Sequence, residues 1–309
     1  MNFIMSNTIL KENTRLCYKY RIIILCKLFN APIHVWIFKP DEFAPLLRKE
    51  FEEDRITHNS YKSHLVCVLA LMSYSDFKVF HTDIYNLWYR FFIKAKKKEY
   101  VNMINHIPSK KQILAHIDWK TVIKNRDLMK NKLLQEYVLL ALITMIPPRR
   151  QRDWVDVKLY NNSDVNWKPT EFKHNYINIG FNNPYILISE FKTDSSQARW
   201  YKAIPEKLLV VLKNFAKAQP NREYLFLSRD GTPYANSSSF AKWSNKVIAD
   251  VSGNPKATMN SMRHAFVDHI TKTYPFMTSK ERLTFAKDMG HSQLQNQNYR
   301  HFQNPNPIK

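Results

Sequence analysis

The chain has 309 residues, 44% of them apolar, which is enough for real cores and excludes global disorder. Lys and Arg number 47 against 26 acids, a formal charge of +21 that favours a polyanion partner, DNA or RNA first, with a lysine-rich composition bias as the competing account. Three widely spaced cysteines, Cys17, Cys26 and Cys67, with no CxxC pair, argue against a disulfide framework and a zinc site. The apolar run at 22–26 is far short of the ~20 residues of a membrane span, and no secretory leader is legible, so the expected setting is intracellular and non-membrane.

Residues 1–122 contain no glycine and read as helical. Thr14 to Phe29 is a basic amphipathic stretch with Leu16, Tyr20, Ile23 and Lys27 at helical offsets. A second helix opens at Pro40, with Asp41 and Glu42 suited to a first turn. Ser60 to Met72 is a third, carrying Leu65, Leu69 and Met72. Asp83 to Lys98 is a fourth and ends in the basic run Lys94 to Lys98, readable as a solvated face or as a phosphate-tracking stripe. The polar, basic segment 106–127 places the domain connection near its end, giving units 1–125 and 126–309.

Lys132 to Ile146 is apolar around most of a helical cylinder, so this helix is expected to be buried on nearly all sides. Pro147-Pro148 stops it. Three candidate strands follow, at 176–179, 185–189 and 199–204, with turns at Asn182-Asn183-Pro184 and Asp194-Ser195-Ser196. Helices resume after Pro205. Asp230-Gly231 marks a turn, and further helices are expected near 237–250, 259–272 and 279–289. Thr278 and Glu281 form a capping-box pattern, and Gly290 fits a left-handed stop. The fold class is mainly α with a small antiparallel sheet.

Five basic or nucleophilic residues stand out. Arg150 follows a buried helix and a forced turn, with Asp153 three residues on to hold its guanidinium. Lys192 ends the strand 185–191 at the mouth of a polar turn. Arg263 lies near the start of its helix, with Asn260 on the same face, where a phosphate would meet both backbone donors and guanidinium. His291 sits just beyond a helix end, and Tyr299 follows eight residues later. A tyrosine, with a reference pKa of ~10, can act as a nucleophile if neighbouring positive charge helps it ionise. Each also has an ordinary structural reading: surface arginine, turn lysine, helix-bracing arginine, carbonyl-capping histidine, packing tyrosine. Their order along the chain favours the chemical one.

In that order, Pro147-Pro148-Arg149-Arg150, the strand Tyr185 to Thr193, Ser261-Met262-Arg263-His264-Ala265-Phe266, Met289-Gly290-His291-Ser292 and Asn298-Tyr299-Arg300-His301 make region 132–302 resemble the catalytic domain of tyrosine recombinases, the phage-integrase family. Within it the motifs are most similar to divergent recombinases of large DNA viruses and virophages. Residues 1–125 resemble the family's helical core-binding domain, a DNA clamp, more loosely. The resemblance implies a two-domain protein that assembles as a homo-tetramer on two double-stranded DNA sites. It implies that Arg150 and Arg263 grip the scissile phosphate, Lys192 protonates the leaving 5′ oxygen, His291 assists, and Tyr299 becomes linked to the 3′ phosphate. No metal, ATP or other cofactor is implied. A viral member would work in the nucleus or a cytoplasmic viral factory. Asn260 stands where the family usually has histidine; an amide can donate to a phosphate oxygen but cannot take up a proton at neutral pH. His264, adjacent to Arg263, is expected to be a structural partner. The interval from His291 to Tyr299 is one residue shorter than the commonest spacing. The alternatives are a type IB-like topoisomerase, against which the Gly-His-Ser motif argues, and a DNA-binding protein that has lost catalysis.

Overall fold

The computed structural model describes residue 10 and residues 12–73, 76–105, 107–130, 132, 134–161, 175–180, 184–189 and 199–290. Two compact units divide the chain, Met1–Asn105 and His106–Lys309. The fold is mainly helical with a small sheet.

The first unit holds α1 (Glu12–Phe29), α2 (Ile33–Trp36), α3 (Pro40–Glu52), α4 (His58–Ser73), α5 (Phe77–Phe80) and α6 (Thr82–Ile104). Its core gathers Leu25, Trp36, Leu47, Leu65, Val68 and Trp88, all fully buried. Trp36 meets Trp88 edge-on at 6.1 Å, and the Trp88 indole N–H donates to Ile37 O at 2.9 Å, so both large rings bury without stranding that polar atom. The buried stripe of α1 runs through Ile22, Leu25 and Phe29, while Tyr20 is exposed. The stripe expected from the sequence is therefore rotated; with apolar residues on several sides of this helix, the position of α4 decides which are covered. Along the basic run of α6, Ala95 is buried, Lys98 lies over the Phe51 ring at 4.7 Å, and Lys96 and Lys97 face solvent.

The second unit begins earlier than residue 126. Within 106–127 lie α7 (Lys110–Leu114) and most of α8 (Trp119–Leu128). Trp119 packs on Phe266, and the Asn125 amide donates to Val251 O. Charge and polarity suggested a connector here, but a few well-placed apolar and amide contacts fasten it to the second unit.

Helix α9 (Gln135–Met145) is the central rod: Tyr137 through Ile143 are all buried. It ends where Ile146, ahead of two prolines, turns to extended backbone (φ −127, ψ 162). A 3-10 turn, Gln151–Trp154, leads to the sheet strands β1 (Lys158–Tyr160), β2 (Tyr176–Asn178), β3 (Tyr185–Ile188) and β4 (Trp200–Ala203). The sheet is mixed, not purely antiparallel. Its order is β1-β2-β3-β4, and β1 runs parallel to β2 while the other pairs are antiparallel. Strand β1 went unforeseen because only Leu159 of its three residues is buried, although the Val157 to Tyr160 stretch does alternate. Its outer edge is held by Leu159 N to Glu223 O and Leu225 N to Val157 O.

The remaining helices are α10 (Glu206–Ala218), α11 (Ser237–Ser252), α12 (Met259–Thr273) and α13 (Ser279–Asp288), all close to expectation. The turn at Asp230-Gly231 is present, with Gly231 at φ +76. The Thr278/Glu281 capping box starts α13, and Gly290 stands past its end at φ +73. Among the described residues no helix is long and apolar enough to cross a membrane.

One buried group gives the first unit a pH dependence. His64 is 4% exposed, with Nδ1 buried and without a hydrogen-bond partner among the described residues. Burial, with the nearby Arg21 charge, lowers its pKa from 6.5 to about 4. A histidine depressed in the folded state contributes stability that is present above about pH 6.5 and lost as the pH falls towards 4. Hydrogen exchange of the α4 amides is expected to show about 3 kcal/mol less protection at pH 4 than at pH 7. In His64→Leu that difference shrinks by most of this amount.

Candidate functional site

Four parts of the second unit, far apart in sequence, meet around two arginines. The first is the extended corner after α9. In extended backbone, successive side chains point to opposite sides. Arg149 turns inward and is fully buried, whereas Arg150, at φ −68 and ψ 148, is only partly covered. Asp153 pairs with Arg149, not with Arg150: Arg149 Nε donates to Asp153 Oδ2 at 2.9 Å. From sequence either arginine could reach a carboxylate one turn on, and the extended corner decides between them.

Arg149 does three further things. Its Nη1 donates to Asp288 O at 2.9 Å, at the last residue of α13. Its guanidinium carbon lies 4.3 Å from the centre of the Trp200 ring on β4. It also abuts Gly290: a Cβ built there would lie 3.1 Å from Arg149 Nη2. Burial lowers the Arg149 pKa, opposed by Asp153, and burial raises that of Asp153, opposed by Arg149. The pair is desolvated on both sides and held together by mutual attraction. Asn175 supports it, donating to Asp153 O at 3.0 Å while its own carbonyl accepts from Ser189 N at 2.8 Å.

Arg263, the fifth residue of α12, is 2% exposed. Its Nη1 donates to Met289 O at 2.9 Å and to Pro148 O at 3.2 Å, joining the end of α13 to the corner before Arg149. The α12 N-terminus differs from the open phosphate seat suggested by the sequence. Thr258 and Ser261 form a capping box, and Met259 N donates to Asn245 Oδ1 at 3.1 Å, so part of the first turn's donors are engaged. Asn260 is exposed on that turn.

His264 is buried, and its Nε2 meets Gln112 Nε2 at 3.3 Å. The Gln112 carbonyl already accepts from Ser109, so its amide N–H donates, and His264 Nε2 is the acceptor, with the proton on Nδ1. Trp200 and Lys202, on one face of β4, complete the cluster through the Asp288 carboxylate: Trp200 Nε1 donates to Oδ1 at 3.0 Å and Lys202 Nζ to Oδ2 at 2.6 Å.

Of the residues singled out from sequence, Arg150, Asp153, Asn260, Arg263 and His264 are placed here. Lys192, His291 and Tyr299 lie outside the described residues. Sequence reasoning missed Arg149, Trp200, Lys202 and Asp288. The signals available for them were the doubled arginine, the period-2 placement of Trp200 and Lys202, and an acid in the last turn of a helix, where it is out of place against the macrodipole. Among the described residues no group of His, Cys, Asp and Glu could hold a metal ion.

No protein-family model matches the sequence, and no curated protein matches it. Among solved structures the chain is similar to the crystal structure of XerA recombinase, at 12% identity and a TM-score of 0.41, over 98% of this chain and 94% of that chain.

The two arginines should separate in stability measurements. Arg149→Ala leaves Asp153 buried and unpaired and is expected to cost about 3–5 kcal/mol in urea denaturation. Arg150→Ala, at a partly covered site, is expected to stay within about 0.5 kcal/mol of wild type. The paired change Arg149→Met with Asp153→Leu is expected to cost less than Arg149→Ala alone, because no uncompensated charge remains.

Proposed function

We propose that this protein cuts and rejoins duplex DNA through a transient 3′-phosphotyrosyl bond, as a site-specific recombinase or integrase. The observation that carries the reading is convergence: Arg263 donates to Pro148 O and Met289 O, so parts of three of the sequence motifs are tied together by direct hydrogen bonds, and Arg149 adds one to Asp288 O beside them. Such a nest of cationic and backbone-anchored groups suits the equatorial charge that builds up in phosphoryl transfer.

In this reading Arg150 and Arg263 bind the non-bridging oxygens, and Asn260 adds an amide donor. The Tyr299 phenol oxygen attacks phosphorus as its proton passes to His291. The 5′ oxygen departs with a proton from Lys192. The new ester retains the energy of the broken one, so a 5′ hydroxyl can reverse the step without ATP or a metal. Arg149, Asp153 and His264 hold the frame. The first unit, with its exposed α6 lysines, acts as the clamp on the duplex, and four copies assemble on two sites. The sequence motifs favour the DNA of a viral or mobile element as substrate.

A second reading has its own support. Arg263 is almost fully buried and donates to two carbonyls, which suits a scaffold arginine in a DNA-binding protein without catalysis. Incubation with nicked suicide duplexes followed by a denaturing gel separates the two. Recombinase activity gives a covalent protein–DNA adduct that disappears in Tyr299→Phe and forms on the order of 10²–10³-fold more slowly in Arg150→Ala. An adduct equally abundant in Tyr299→Phe, or none from wild type that still binds duplex, would sink the proposal. Relaxation of supercoils without sequence preference would move it to a type IB-like topoisomerase.

A further inference from the structure

Asp288 makes more connections than a last-turn acid needs. Its carboxylate accepts from two residues of β4, the Trp200 indole at 3.0 Å and the Lys202 ammonium at 2.6 Å, while its carbonyl accepts from Arg149 at 2.9 Å. It is itself buried, and Lys202 is only one-third exposed, so the pair is more shielded than a surface ion pair. At a helix C-terminus a carboxylate faces the negative end of the macrodipole, an unfavourable place without strong cationic partners. Here it has Lys202 directly and the Arg149 charge alongside. Trp200 is gripped twice, by its N–H on Asp288 and by its ring face under Arg149. Strand β4, the end of α13 and the buried arginine thus form a closed triangle with Asp288 at one vertex.

We infer that Asp288 is a positioning residue: by latching onto Trp200 and Lys202 it fixes the Gly290 end of α13 against β4 and Arg149, and so sets the geometry of strand cleavage. The inference rests on the DNA-cleaving reading for its consequence but not for its geometry. The latch carries no chemistry itself. In the sequence β4 follows the segment that holds Lys192 and α13 precedes His291, so the latch ties together the two elements that neighbour these proposed functional residues along the chain. A misplacement of about 1 Å between reacting groups can cost on the order of a hundredfold in rate.

The test uses the full chain and the variants Asp288→Asn, Lys202→Met, Lys202→Arg and the double change Asp288→Asn with Lys202→Met. Amide hydrogen exchange is followed at 200–203 and 284–290 without DNA, alongside the single-turnover cleavage rate on saturating nicked duplex and the Kd for intact duplex. Asp288→Asn and Lys202→Met are each expected to speed exchange in both segments by roughly tenfold or more. Each is also expected to slow cleavage by on the order of a hundredfold with Kd unchanged. The double variant should be no worse than Asp288→Asn, and Lys202→Arg should restore both readouts. Exchange that rises only in the mutated segment, or cleavage that falls only in step with lost DNA affinity, overturns the inference. If wild type gives no adduct, the strand-transfer reading fails on that result, and the positioning of a cleavage geometry falls with it. The exchange arm then still reports the latch itself.

Discussion

The buried guanidinium of Arg149 is the constraint on which the second unit's organisation depends. It must be desolvated, and only a surrounding set of acceptors makes that tolerable. Asp153 supplies the countercharge, Asp288 O a helix-end carbonyl, and Trp200 a ring face. Arg263 lies close enough to add repulsion, and it too is anchored on carbonyls, Met289 O and Pro148 O. The two arginines thereby satisfy carbonyls that α13 would otherwise leave unpaired at its C-terminus, where the macrodipole also favours cations. The 147–150 corner, the sheet and two helices are held in register by charge-assisted hydrogen bonds, and the apolar core around α9 provides the rigid backing.

That backing was the most legible part of the sequence. A helix apolar on all sides has one stable destination, and two prolines after it leave no choice about where it stops. The start and stop of α13 were equally plain, since the Thr278 box and Gly290 act through local backbone chemistry. What escaped were choices made by tertiary contacts. Arg149 and Arg150 are identical in kind, and the inward one is selected by the parity of an extended segment fixed elsewhere. Strand β1 has three residues and one buried side chain, too little pattern to announce itself, and its parallel pairing follows from topology. Segment 106–127 is basic and polar on average, yet Trp119 and Asn125 bind it to the second unit. Averages over composition do not register single anchors of that sort.

The same contrast applies to the candidate site. Arg263 and the Gly290 stop were legible because each sits in a helix with clear punctuation. Asp288, Trp200 and Lys202 were not, because their meaning arises only when β4 and α13 come together. An acid in the last turn of a helix looks like a mild electrostatic error in isolation. In the folded unit it becomes the acceptor for a lysine and an indole. The apparent fault in the local pattern is resolved by partners more than eighty residues away, as the separation of Asp288 from Lys202 illustrates.

Gly290 links backbone geometry to this buried charge. Its left-handed φ already disfavours a side chain, and a Cβ there would stand 3.1 Å from Arg149 Nη2, closer than an ordinary contact. Positions 149 and 290 therefore act as one constraint written at two places in the chain. A larger residue at 290 requires the Arg149 guanidinium to give way by a few tenths of an ångström, so among relatives of this protein a change at 290 should tend to come with a change at 149.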